Sequence, residues 1–443
     1  MRILLLNYSN DNSAAESWFP QGLGYIASGL RKIPKAEVSV LDLNIVHDNQ
    51  ILKTWLDLHE WDIIGLSFIG GYWQMRQFKE LIGIINAHPR RRHLYVMAGG
   101  HLFAPNPSYF IDKFGIDCVV IGDGENICEV IEKQPRGVYF AKSLDIDAIP
   151  WPAYDLFDIS HYRLLRMPNC EKTDYCLPVL SSRGCPFHCS FCYRMDKHVR
   201  IRHVTAVVEE LRYLIKTYRI SYFAFADELL MMNEDRAIEV AEALMPLGIK
   251  WDCNGRLNYA KPEVLDVMKR AGCVFLNVGI EAVDDEVLRK MHKNLTVDQI
   301  HIGVENILKA GISPGLNLIW GNIGDTPQTL QKAVDFLLKY GDNSQLRTIR
   351  PVTNYPGSEL FNISIKKGMV RDIEDFYENK HLNSDLFTCN FMNISEDEAY
   401  KLLHWANLTL ITDHLSRTQM NYQKQLHDLY VCHNPDFRGW RAR

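Results

Sequence analysis

The chain has 443 residues, of which 47% are hydrophobic and 23% charged, with a formal net charge of -5 at pH 7. That length supports two or three domains with separate cores, and the composition is that of an ordinary globular protein. The slightly acidic balance excludes an electrostatic case for a nucleic-acid partner, and the basic run Arg90 to Arg92 reads as a solvated helix end.

The opening MRILLLNY is too short an apolar run for an export signal and reads as a strand. No apolar segment approaches the roughly 20 residues of a transmembrane helix. Eleven cysteines without an export signal lead us to expect a reducing, cytoplasmic interior. Fully buried strands are expected at Ile3 to Leu6, Val38 to Leu41, Ile63 to Ser67, Tyr95 to Ala98 and Cys118 to Ile121, with helix-like segments between them. The order implies a doubly wound α/β domain over residues 1–140. Ligands of such sheets bind at the carboxyl ends of strands, which here lead into Asn7 to Pro20, Ser67 to Trp73, Gly99 to Pro107 and Gly122 to Glu125. Glycines in three of these loops permit close backbone approach to a large ligand, although glycines also simply terminate strands. Residues 141–174 are the expected linker. Its stretch Asp145 to Tyr162 carries prolines and aromatics that suit an extended strap.

From 175 to 355 a strand-then-helix unit repeats, with strands expected at Pro178 to Ser182, Tyr222 to Ala226, Lys250 to Asn254, Val274 to Gly279, Ser313 to Trp320 and Arg347 to Pro351. Amphipathic segments such as Val204 to Tyr218 and Asp235 to Leu247 lie between them. Six units suggest a partial (β/α)6 TIM-type barrel with its site at the carboxyl ends of the strands. The loop Arg183 to Arg194, RGCPFHCSFCYR, follows the first strand and carries Cys185, Cys189 and Cys192 at the spacing C-x3-C-x2-C. Three thiolates can hold three irons of a cubane and leave the fourth open to an external ligand. A zinc site would need a fourth ligand, for which His188 is a candidate, and a disulfide or buried thiols are the bland alternatives. The remaining cysteines show no second cluster spacing. Residues 356–443 form a small, mostly helical C-terminal region, with an amphipathic helix expected over Ser395 to Leu415. Tyr355, His381, His404 and Tyr422 are its possible substrate contacts, each more simply explained by packing or exposure.

The cysteine loop resembles the signature of the radical S-adenosylmethionine (SAM) superfamily, C-x3-C-x-aromatic-C, with Phe191 in the aromatic place. GGYW, GGH and GDGE at the strand ends, with PQGLGYIASGL at Pro20 to Leu30, resemble the cobalamin-binding domain that precedes the barrel in the subfamily of class B methyltransferases. This resemblance implies a 4Fe-4S cluster on the three cysteines and an open iron chelated by SAM. It also implies corrin contacts at Ser67, Phe68, Gly99, Gly100, Gly122, Gly124 and Glu125. No D-x-H-x-x-G motif is present, since His47 follows Asp42 at the wrong spacing, so the resemblance implies no lower axial histidine. Asp227 and Glu228 in FAFADELL resemble the segment that meets the SAM amine, Arg256 a carboxylate-binding position, and Glu281 in GIEA a ribose- or amine-binding position. Asn317 to Thr326 resembles the adenine loop, with Asn322 and Asp325 in place of the expected residues, and PVTNYPGSELF resembles the end of the barrel.

The implied reaction is methylation of an unactivated carbon in a small-molecule or natural-product substrate. A SAM-derived 5′-deoxyadenosyl radical abstracts hydrogen, cobalamin supplies methyl, and an external donor such as flavodoxin or ferredoxin supplies electrons. Alternatives with the same parts are a dehydratase, cyclase or rearranging enzyme that does not bind cobalamin, and a non-catalytic cluster or cobalamin sensor or carrier.

Overall fold

A computed structural model describes residues 1–9, 17–194, 196 and 198–433. It divides into two compact units: residues 1–166, 175–230 and 353–389 form the first, and residues 167–174, 231–352 and 390–443 the second.

In the first unit, β1 (Arg2–Asn7), β2 (Glu37–Asp42), β3 (Ile63–Ser67), β4 (Tyr95–Gly99), β5 (Cys118–Ile121) and β6 (Gly137–Phe140) make one parallel sheet in the order β2-β1-β3-β4-β5-β6. The central strands are apolar without alternation because helices cover both faces of a parallel sheet. Ile3 to Leu6 and Ile63 to Leu66 are accordingly buried. The order reverses between β1 and β3, so a crevice is expected where those strands end, at the segment that opens with Ser67. The edge strand β6 lies beyond the five expected. The same unit holds β7 (Cys176–Val179), parallel to β10 (Tyr222–Phe225), and an antiparallel hairpin of β8 (Ser182–Arg183) with β9 (Arg200–Ile201). The expected strand Pro178 to Ser182 is therefore broken in two, one part in the parallel pair and one in the hairpin.

The second unit carries β11 (Lys250–Gly255), β12 (Cys273–Glu281), β13 (Ser313–Trp320) and β14 (Arg350–Pro351), each parallel to the next. The last strand begins three residues later than expected. Ile349 is bonded on both backbone sides to the Asn407 amide, at 2.8 and 3.0 Å, and is withheld from the ladder. The C-terminal helix extends well past its expected end, over Glu396–Tyr430. No helix among the described residues is long and apolar enough to cross a membrane.

Candidate functional site

The pairing Arg183↔Arg200 closes residues 184–199 into one loop with a two-residue neck. Gly184 at that neck has φ +87°, and a Cβ there would lie 2.5 Å from the His198 carbonyl oxygen, so only glycine fits. Inside the loop the backbone is pinned around the thiols. Cys192 N–H donates to the Cys189 carbonyl at 3.1 Å, and Arg194 Nη1 donates to the Cys185 carbonyl at 3.0 Å. Leu360 N–H donates to the Ser190 carbonyl at 2.8 Å.

Cys185 and Cys189 are half-buried, Cys192 is exposed, and none of the eleven cysteines is in a disulfide, against the disulfide reading. His188 is exposed, and among the described residues no three His, Cys, Asp or Glu side chains converge as they would around one ion. A cubane takes one thiolate per iron at separate corners, so the donor set fits a cluster better than zinc. Phe191 is half-buried within the loop.

Asp227 and Glu228 part company. Asp227 is fully buried, accepting from Ser181 N–H at 2.7 Å and from the Ser181 and Ser182 hydroxyls at 2.6 Å each. Its carboxylate holds the strand that enters the cluster loop. It is not a helix cap, a task that Asn233 performs. Glu228 is exposed; partial burial, with the Asp196 charge beside it, raises its carboxyl above the usual range.

The strand ends of the α/β sheet also sort themselves. Ser67 is half-buried at the end of β3. Phe68 is 1% exposed, stacked on Tyr8 at 4.7 Å and edge-on to Phe78 and Phe103. Its ring is a member of the core. Ile69, one residue on, is 53% exposed and offers an apolar surface at the switch-point loop. Residues 10–16 of the loop after β1 lie outside the described residues. Gly100 has φ +97° with the Phe68 carbonyl oxygen 2.5 Å from an added Cβ, and Gly122 has φ +106° with the Ala141 carbonyl at 2.6 Å. Gly99 and Gly124 keep negative or extended backbone and have looser surroundings. Glycine ends beside an exposed apolar residue fit a broad planar ligand such as a corrin. The side-chain oxygens of Glu125 receive Arg183 at 2.5 and 3.3 Å.

In the second unit, Arg256 is 6% exposed and donates to the carbonyls of Lys293 at 2.5 Å and Asn294 at 3.0 Å. Glu281 ends β12 with φ +68°, an uncommon conformation for a side-chain-bearing residue, and meets Lys293 Nζ at 2.9 Å. Gly279 leaves the space for this pair, because a Cβ there would strike Glu281 Oε1. Arg256, Glu281 and Lys293 thus form one network. Lys293 escaped sequence reasoning because twelve residues separate it from Glu281. Asn254, Asn277 and Asn317 link β11, β12 and β13 by amide hydrogen bonds of 2.8 Å each. Asp325 accepts from the N–H groups of Gly321 and Asn322 and from Thr329 Oγ1, and burial lifts its carboxyl to about 6. It shapes the 321–326 loop from inside.

Of the C-terminal candidates, Tyr355 and His381 meet edge-on at 5.2 Å, with His381 also stacked on Phe376 and close to Tyr72. His381 is buried, neither ring nitrogen has a hydrogen-bond partner among the described residues, and burial lowers it to about 4. His404 and Tyr422 lie on the exposed part of the helix Glu396–Tyr430.

The sequence model of the radical SAM superfamily matches residues 179–337, and that of the B12 binding domain matches residues 11–132. An uncharacterized methyltransferase of Pyrococcus horikoshii is 26% identical over 79% of this chain and 79% of its own length. An anaerobic magnesium-protoporphyrin IX monomethyl ester cyclase of Cereibacter sphaeroides is 30% identical over 82% of this chain and 63% of its own. The structure of the cobalamin-dependent SAM radical enzyme OxsB with aqua-cobalamin and SAM bound superposes with a TM-score of 0.71 at 17% identity, covering 98% of this chain and 75% of that one. The fold is that of a B12-binding α/β domain followed by a curled parallel half-barrel and a helical C-terminus.

Proposed function

The chain belongs to the cobalamin-binding radical SAM enzymes, and from that premise we propose that it methylates an unactivated carbon of a small-molecule substrate. The observation that carries this reading is the closed loop of three cysteines, none in a disulfide, held in the same compact unit as the α/β sheet with glycine strand ends. When bound, the cluster and SAM supply a 5′-deoxyadenosyl radical and cobalamin supplies the methyl group.

In this reading Cys185, Cys189 and Cys192 each ligate one iron, and Phe191 packs beside them. Glu228, outward and negative, accepts from the SAM amine, while Asp227 fixes the strand beneath it. Arg256 anchors the 293–294 turn so that Lys293 and Glu281 present a paired charge to the carboxylate and ribose groups of SAM. Ser67, Gly99, Gly100, Gly122 and Gly124 form the corrin bed with their backbone. The domains in this reading are 1–140 for cobalamin, 141–174 as strap, 175–355 for the radical SAM core and 356–443 as the substrate and capping region. A cluster that cycles needs an external one-electron donor, and the exposure of Cys192 gives a flavodoxin or ferredoxin an edge to approach. Eleven free thiols suit the cytoplasm.

The cyclase relative favours a second reading, in which the same radical is used without methyl transfer. Anaerobic reconstitution with iron, sulfide and hydroxocobalamin, followed by turnover of SAM under reductant with candidate substrates, separates them. Methylation yields both 5′-deoxyadenosine and S-adenosylhomocysteine and retains near-stoichiometric cobalt. Deoxyadenosine alone, without retained cobalt, would overturn methylation in favour of the cyclase or dehydratase reading.

A further inference from the structure

The two residues that pair across the neck of the cysteine loop are both arginines, and both are held by the GDGE segment after β5. Arg183 reaches Glu125 Oε1 at 2.5 Å and Asp123 Oδ1 at 3.4 Å. Arg200 forms a fork on Asp123, with contacts of 2.6 and 2.8 Å, and also pairs with Asp196 inside the loop. The carboxylates are nearly sealed from solvent, at 5% for Asp123 and 4% for Glu125, and the guanidiniums are about one-fifth exposed. Leu144 N–H donates to Asp123 at 2.7 Å, and Arg183 also lies over the Tyr25 ring at 5.2 Å. Burial pushes the Asp123 carboxyl up, but the Arg200 bonds, the Leu144 N–H and the two guanidinium charges outweigh it and hold it below the usual range. Charge-assisted forks of this kind fix position as well as adding energy.

We propose that Asp123 and Glu125 are positioning residues that clamp the neck of the cysteine loop through Arg200 and Arg183, so that the α/β domain sets how firmly the cluster is held and at what potential. This rests on the cluster assignment made above. The acidic pair of the GDGE segment thereby acts on the cluster loop rather than on the corrin. Neutralising Glu125 leaves the Arg183 charge, two residues from Cys185, without its main partner. The clamped geometry loosens, and the net positive charge beside the cluster favours its reduced form.

The test compares wild type with Glu125→Gln and Arg183→Lys after anaerobic loading with iron, sulfide and hydroxocobalamin. Release of iron to a chelator is expected to be on the order of tenfold faster in Glu125→Gln, the size expected for losing a charge-assisted bond. Its midpoint potential shifts upward, and cobalamin retention matches wild type. Arg183→Lys, which keeps the charge and loses the fork, releases iron at an intermediate rate with little shift in potential. A merely structural role would lower the melting temperature without moving the potential. Should Glu125→Gln fold poorly, hydrogen exchange of the wild-type protein serves instead, since coupling is reciprocal: cluster loading protects residues 118–126. Wild-type iron retention and potential in Glu125→Gln together with lost cobalamin would overturn the clamp and make Glu125 a corrin ligand. Absence of protection at 118–126 on loading would overturn it as well. Wild-type protein that takes up no iron would instead sink the cluster assignment itself.

Discussion

Asp227 and Glu228 are neighbours in sequence and opposites in environment. Three hydrogen bonds and complete burial commit Asp227 to Ser181 and Ser182, so Asp227→Asn replaces an acceptor by a donor facing two hydroxyls and an N–H. That change is expected to cost about 2 kcal/mol of stability through unmet buried groups, read by chemical denaturation. Glu228 has no such hold, and Glu228→Gln leaves the melting temperature within a few degrees while weakening SAM binding about tenfold. The carboxyl of Glu228 sits above its ordinary value because burial and Asp196 disfavour the charge. Only the ionised form pairs with an ammonium, so SAM affinity falls as pH drops through that raised pKa, and the fall disappears in Glu228→Gln. Titration calorimetry across about pH 5 to 8 checks both points, and an unchanged pH profile in Glu228→Gln would assign the amine to another residue.

At the scale of single elements, the loop after β4 shows how two adjacent glycines differ. Gly100 is left-handed with a backbone oxygen where its Cβ would stand, whereas a Cβ at Gly99 meets only the Val120 carbonyl at 3.4 Å. Gly100→Ala is expected to cost roughly 2 kcal/mol or more and to abolish cobalamin retention. Gly99→Ala costs less than about 1 kcal/mol. Equal losses in denaturation midpoint would refute the distinction. The same contrast marks what the sequence makes legible. Strand cores, the glycines that end them and the cysteine spacing are local patterns, and the five expected strands of the first sheet and the cysteine loop all appear. What stayed hidden depends on partners far along the chain. Arg183 lies 58 residues from Glu125, and no local period announces that a GDGE segment will grip the neck of a later hairpin. Phe68 has the hydrophobicity of a core residue and the position of a ligand contact, and its aromatic packing on Tyr8, Phe78 and Phe103 is likewise not announced by the local pattern. The late start of β14 depends on Asn407, supplied by a helix that follows the barrel.

Across the whole molecule, the thiols form a graded series of exposure, and cluster loading rather than exposure separates ligands from the rest. Cys118, Cys176, Cys253, Cys273 and Cys389 are buried, Cys128, Cys170, Cys185 and Cys189 are half-buried, and Cys192 and Cys432 are exposed. Burial raises the thiols of Cys118, Cys273 and Cys389, the last to about 11, which keeps them protonated and slow to react. A short alkylation pulse on native apo-protein should therefore label Cys192 and Cys432 first, the half-buried set more slowly, and the buried set hardly at all. Loading the cluster should silence Cys185, Cys189 and Cys192 and nothing else, with Cys432 as the internal control because its exposure owes nothing to the loop. Mass spectrometry of the labelled peptides reads the whole inventory at once. A fourth thiol that falls silent with the three would mean that the last iron is filled by protein, and the chelation of SAM on which methyl transfer depends would lose its place. Three thiols protected and the rest unchanged leave that iron open, as radical formation requires.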